Sequence, residues 1–119
     1  MDNNESVTLT NFTQSVANAG VLVTTEYTAN AYTPGLFWAT ANDNPGKPKA
    51  GVWLLETASG SDMYFGTSNS FATGITNNSI VVHRSGNVGV AGVTAPGEAL
   101  DVNGNVQASG VAYTGLGTA

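Results

Sequence analysis

Turn-forming residues interrupt this chain at short intervals, and their spacing constrains the fold more than any other feature. The stretch from Asn42 to Pro48 consists almost entirely of Asn, Asp, Pro, Gly and Lys, and we expect it to form an exposed loop. Between such clusters lie apolar runs of about four to eight residues, a length typical of strands. The spacing therefore predicts an all-β fold built from short strands.

The residue types in these runs favour the same fold class. Val and Thr are β-branched and suit strands, whereas Lys and Arg, which form helices well, total only three. Charged residues make up 9% of the chain, well below the roughly 25% of average soluble domains. Hydrophobic residues reach 41% and recur along the whole length, which is not typical of disorder. We expect the chain to fold.

The charge and cysteine content exclude several functions. A net charge of −5 disfavours nucleic acid and anionic membrane surfaces, because both need Lys and Arg to neutralise phosphates. No apolar run approaches the roughly 20 residues that span a bilayer, so membrane insertion is not predicted. Without cysteine the chain has no disulfides and no thiolate metal site. We expect oligomerisation to supply the missing stability.

The apolar runs predict a series of strands and hairpins. Single strands are predicted at residues 6–10, 20–27, 36–40 and 88–90. Hairpins are predicted at residues 51–57 with 62–67, at Ile75–Thr76 with Ser79–Arg84 around Asn77-Asn78, and at Ala99–Val102 with Asn105–Ala108 around Asn103-Gly104. The last of these carries the strongest hairpin signal. The chain divides into an N-terminal β segment (1–33), a β-rich head or knob-like module (34–84) and a Gly-rich turn and hairpin segment (85–119).

The strands of the central hairpin are apolar on both faces. Trp53 and Leu54-Leu55 lie on one side of the turn, and Met63-Tyr64-Phe65 lies on the other. One face of a small antiparallel sheet usually meets water, so two apolar faces predict a second partner surface. An ordinary strand of a β-sandwich is the alternative.

Few residues suggest catalysis, and we predict that the chain is not an enzyme and needs no cofactor or metal. Glu56 and Asp62 flank one turn and could approach each other as the carboxylate pair of a glycosidase, but carboxylates at strand ends are more often simply solvated. His83 is the single histidine and lies beside Arg84, which is typical of a surface or interface residue.

Four residues are candidates for ligand binding: Trp38, Trp53, Tyr64 and Asp62. Aromatic rings stack on sugar rings, and carboxylates bond sugar hydroxyls. The alternative, which we favour, places both tryptophans in the core. Phe37 and Trp38 are adjacent in a predicted strand and must point to opposite faces.

Two sequence stretches resemble a segment of bacteriophage tail fibres and tailspikes. Ser85-Gly86-Asn87-Val88-Gly89-Val90, followed by the residues from Pro96 to Val106, is similar to the pattern that lies upstream of an endosialidase-type intramolecular chaperone domain. Val90 and Ala91 stand where that family favours Ile and Gly. Residues 35–38, 49–53 and 63–69 also resemble modules of such fibres and of trimeric adhesins from predatory bacteria. The similar stretches lie between residues 20 and 108.

The resemblance implies a parallel homotrimer of intertwined or closely packed chains. Its partners would be adjoining fibre segments and a glycan or protein on a host cell surface, and its location would be a virion tail fibre or another extracellular appendage. A bacterial adhesin, or a contractile-injection-system fibre built from the same module, is one alternative. A fragment of a polysaccharide-degrading tailspike is another.

Overall fold

The computed structural model describes residues 23–110, which form an all-β fold, as predicted. Its seven strands are β1 (Ala31–Tyr32), β2 (Leu36–Trp38), β3 (Ala50–Thr57), β4 (Gly60–Thr67), β5 (Asn77–Val82), β6 (Val88–Val90) and β7 (Leu100–Val102). Turns and bends connect the strands. No helix in this part of the chain is long and apolar enough to cross a membrane. The predicted strands at 6–10 and 20–22, and the end of the chain from residue 111, lie outside the described residues.

All seven strands join one sheet, in the order β1, β3, β4, β5, β6, β7. The short strand β2 also pairs with β3, so β1 and β2 lie one after the other along the same edge of that strand. Every pair is antiparallel except β6 with β7. The sheet contains strands from each of the three segments into which we divided the sequence.

The central hairpin, β3 with β4, is confirmed. Its eight pairs run from Ala50 opposite Thr67 to Thr57 opposite Gly60, so the connecting turn is Ala58-Ser59. The Thr57 hydroxyl donates a hydrogen bond of 2.7 Å to the Gly60 carbonyl and closes this turn. Trp53 lies directly opposite Tyr64, which fixes the two large rings on one face.

Two local predictions are wrong. Asn77-Asn78 is not a turn, because both residues belong to β5 and pair with Thr67 and Gly66 of β4. The pairing register shifts between Phe65 and Gly66, so that β5 has one extra residue opposite this step of β4. Such a shift is a β-bulge. The predicted strand at 20–27 is also absent from its described part, because residues 23–27 are irregular.

The predicted hairpin around Asn103-Gly104 is also wrong. Residues 100–102 form β7, but β7 runs parallel to β6, and residues 105–108 form no strand. The residues that connect these parallel strands, 91–99, are fewer than the dozen or so usual for such a crossover. The local pattern identified the strand correctly but assigned it the wrong partner.

Side chains of the fibre-like pattern hold this short crossover in place. The Asn87 amide donates to the Pro96 carbonyl at 3.2 Å, and the Asn103 amide donates to the Ala91 carbonyl at 3.3 Å. One Asp101 carboxylate oxygen accepts from the Gly97 amide at 3.2 Å. The polar residues of the pattern therefore have structural roles in this sheet.

Ala91 begins the crossover in the left-handed backbone region, with a φ of 59°. Because Cβ is crowded there, we expect Ala91→Gly to stabilise the fold by about 1 kcal/mol and raise Tm by a few degrees. Differential scanning calorimetry measures this shift. Ala95→Gly, in the same loop without a left-handed φ, should lower Tm slightly because glycine adds chain entropy. Equal losses for both variants would contradict the argument.

The two faces of the sheet differ in what covers them. On the aromatic face, which carries Tyr32, Phe37, Trp53, Tyr64 and Val81, the last three are buried and form the core, with Leu55 and Ile75 packed beside them. The opposite face, here called the open face, carries twelve apolar side chains larger than alanine, as the strand registers show. They are Leu36, Trp38, Val52, Leu54, Met63, Phe65, Ile80, Val82, Val88, Val90, Leu100 and Val102. None of the twelve is fully buried.

Candidate functional site: a groove on the aromatic face

A pair of glycines makes room for the rings of the aromatic face. Gly51 and Gly66 are opposite each other in β3 and β4. A Cβ on Gly51 would overlap the Phe37 ring, and a Cβ on Gly66 would overlap the Trp53 ring. Both rings therefore lie against the sheet where side chains are missing.

The rings form one continuous cluster. Trp53 stacks on Phe37 and on Tyr64, with ring centroids 5.9 and 5.8 Å apart. Tyr32 meets the edges of Trp53 and Tyr64 at 6.2 and 5.4 Å. Trp53 and Tyr64 are only 8% and 2% exposed, whereas Phe37 and Tyr32 are 41% and 59% exposed. The cluster thus has a buried floor and an accessible rim.

This rim borders an open groove of about 590 Å³. Volumes of about 300–1,000 Å³ are typical of small-molecule sites. Two loops complete its walls, one around Lys47 and the other preceding β5. The polar residues that line it are Thr33, Lys47, Thr73, Thr76 and Asn78.

The groove differs in charge from the rest of the molecule. Lys47 lines it and no acidic residue does, although the chain has eight acidic residues and a net charge of −5. Among the residues described, Lys47 takes part in no ion pair. Lys47 is therefore the one charged residue among the described residues that line the groove.

No protein-family model and no curated protein matches the chain.

Asp62 has a structural partner on the aromatic face. Its carboxylate accepts bonds of 2.9 and 2.8 Å from Arg84 Nη1 and one of 2.8 Å from the Arg84 backbone amide. Asp62 is buried, so these bonds compensate for its lost hydration. The pair ties the end of β5 to β4.

Burial raises the pKa of the Tyr64 hydroxyl above its usual value of 10.0, and the nearby Tyr32 and Asp62 act in the same direction. The hydroxyl therefore stays protonated at neutral pH and remains a hydrogen-bond donor. Tyr64 contributes a neutral polar group to the core.

The structure separates the four candidate ligand-binding residues. Trp53, Tyr64 and Asp62 share the aromatic face and are buried, while Trp38 lies on the open face and is 55% exposed. Trp53 forms the floor of the groove, but the accessible rings beside it belong to Tyr32 and Phe37. The core position that we favoured holds for Trp53 and does not hold for Trp38.

The carboxylate pair considered for catalysis is not brought together. Glu56 is opposite Ser61, and Asp62 is opposite Leu55, so the two carboxylates point to opposite faces of the sheet.

His83 is bonded locally. Its Nδ1 lies 2.8 Å from the Ser85 hydroxyl, and its Nε2 lies 3.2 Å from Arg84 Nη1. Within residues 23–110, no three His, Cys, Asp or Glu residues are close enough together to hold a metal ion.

Sequence reasoning missed Tyr32, Lys47 and Asn78 as groove residues. They come from three separate loops or strands, and only the pairing of β1, β3, β4 and β5 brings them together. One signal was available: Gly51 and Gly66 interrupt otherwise apolar strands, and a glycine in a strand often marks the close approach of another group.

Proposed function

We propose that this chain is a structural and attachment segment of a homotrimeric fibre, with the open face of its sheet packed against other copies of the chain. Its role is to build the fibre and to present a surface to a host cell, as a viral tail fibre does. The proposal includes no catalytic step.

The observation that carries the proposal is the open face. Its twelve apolar side chains span the whole width of the sheet, and six of them are exposed. A sheet face of this kind is stable in water when another layer covers it. Among residues 23–110, the buried apolar core consists of Trp53, Tyr64 and Val81, which all lie on the aromatic face.

Other copies of the chain are the occupants that best fit this face. The face is apolar and carries almost no charge, and homomeric interfaces are more apolar than those between transient partners. Three copies follow from the resemblance to tail fibres, in which three parallel chains pack about one axis. Such packing leaves the aromatic face and its groove pointing outward.

Light scattering on the full chain tests the assembly. We expect a mass of three chains, and we expect Ile80→Lys to reduce it to one, because Ile80 is exposed near the middle of the open face. A buried, unpaired lysine is costly, and burial of the isoleucine itself is worth about 1.5–3 kcal/mol.

Ala72→Lys is the matched control, because it adds the same charge on an exposed turn away from the sheet. This variant should keep the mass of three chains. A folded wild-type monomer at micromolar concentration, or an Ile80→Lys protein that still forms trimers, would contradict the proposal.

A further inference from the structure

We propose that the groove on the aromatic face binds an acidic saccharide, a short chain of sugars that carries one carboxylate. The inference rests on the proposed function in one respect, namely that packing through the open face leaves the groove exposed to solvent. It adds a ligand class and the residues that recognise it.

The rim of the groove offers aromatic surface to a sugar. Phe37 and Tyr32 are both substantially exposed, and the Phe37 ring is supported from below by Gly51. Contact with Trp53 on its flank holds this ring in place before a ligand arrives. The C–H groups of a pyranose pack against such a fixed ring at little entropic cost.

Polar side chains beside these rings can still form hydrogen bonds with a ligand. The Asn78 side chain lines the groove and forms no hydrogen bond with any described residue. The Thr76 hydroxyl donates to Asn69 Oδ1 at 3.1 Å, and its oxygen remains free to accept another bond. Sugar hydroxyls both donate and accept, so they suit an amide next to a hydroxyl.

The charge of the groove favours a carboxylate on the sugar. Of the three basic residues in the chain, Arg84 is bonded to Asp62, and Lys49 Nζ donates to the carbonyls of Asn44 and Phe71 at 3.2 and 2.9 Å. Lys47 is the remaining one, and it lines the groove. On a chain of net charge −5, a lysine that forms no ion pair with any residue from 23 to 110 favours a carboxylate bound beside it.

A single lysine matches one carboxylate better than a phosphate of higher charge. Lys49 of the same loop does not line the groove, so among the described residues Lys47 has no basic partner there that would help to neutralise a nucleotide. We therefore choose a uronic acid oligosaccharide over a nucleotide, whose base would also stack on the rings.

Isothermal titration of the full chain tests the inference with two probes. One is a tetrasaccharide with a single uronic acid residue, and the other is the neutral tetrasaccharide in which that carboxylate is reduced to an alcohol. We expect the acidic probe to bind at least about tenfold more tightly than the neutral one, with an affinity that falls as salt is added. Amide chemical shifts of Thr76 and Asn78 should move on binding.

Two variants measure separately what the lysine charge and the aromatic ring contribute to binding. Lys47→Gln should abolish most of the preference for the acidic probe, and Phe37→Leu should weaken both probes by about tenfold. Ser109→Asp is the matched control, since it changes the net charge by the same amount at an exposed position outside the groove. It should leave both affinities unchanged.

Several outcomes would overturn the inference. They are the absence of saturable binding by the acidic probe, an equal loss of affinity in Ser109→Asp and Lys47→Gln, or tighter binding of adenosine monophosphate than of the saccharide. Light scattering on the same samples distinguishes this failure from that of the proposed function. A monomer that binds the probe refutes only the trimer, and a trimer that does not bind it refutes only the saccharide site.

Discussion

Trp53→Ala should unfold the sheet or bring it close to unfolding. Within residues 23–110, Trp53 belongs to the buried core, and its ring contacts Phe37, Tyr64 and Tyr32 while lying over Gly66. Removing a buried tryptophan costs about 3–5 kcal/mol, a large part of the roughly 5–15 kcal/mol that stabilises a whole domain. Urea denaturation followed by circular dichroism measures the loss.

The second tryptophan supplies the control. Trp38→Ala removes the same side chain from the open face, where the residue is mostly exposed. We expect the effect of Trp38→Ala on the urea midpoint to depend on protein concentration, because that ring would contact other copies of the chain. The Trp53→Ala loss should persist at every concentration. A larger loss for Trp38→Ala than for Trp53→Ala in dilute solution would show that the core has been placed on the wrong face.

Gly89→Ala is expected to have the other large effect. A Cβ at this position would overlap the carbonyl oxygen of Val93, which is backbone and cannot rotate away. The crossover from β6 to β7 would have to lift off the sheet, at a cost of about 3 kcal/mol. Gly89→Ala should therefore detach β7 from β6. The Val88 N–H donates to the Ala99 carbonyl, and the Asn103 N–H donates to the Val90 carbonyl. Amide hydrogen exchange at Val88 and Asn103 should therefore accelerate.

Gly97→Ala tests whether the effect depends on position. Gly97 lies in the same loop, has no left-handed φ and has no atom within 4 Å of the place where a Cβ would stand. Its replacement should be neutral or slightly stabilising, because alanine restricts the unfolded chain. Similar exchange rates in Gly89→Ala and Gly97→Ala would refute the close contact between Gly89 and Val93.

Local sequence was enough for those parts of the fold that depend on neighbouring residues. The hairpin from Ala50 to Thr67 was predicted because its strands and turn are continuous in the chain. The pairing of β7 was not, because Asn103 uses its side chain to bond Ala91 instead of forming a tight turn. An Asn-Gly pair favours a hairpin only when the following residues pair back, and here residues 105–108 form no strand beside β7.

Of the candidate site, the sequence predicted only the buried residues that form its floor. Trp53 and Tyr64 were identified from their aromatic character, and the register then placed both in the core. The partner of Asp62 is 22 residues away in the sequence, so the ion pair with Arg84 depends on the packing of β5 against β4. The accessible rings of Tyr32 and Phe37 likewise reach the groove only because β1 and β2 share one edge of β3.

The position of the first and last strands has a mechanical consequence. Within residues 23–110, the chain enters the sheet at the edge formed by β1 and leaves it at the opposite edge, formed by β7. Tension between these two points would act across the strands, in the direction of their hydrogen bonds, so the pairs would peel apart one after another. A single sheet would resist such a pull poorly. In a fibre, we expect the contact between the open faces of neighbouring copies to bear most of the load.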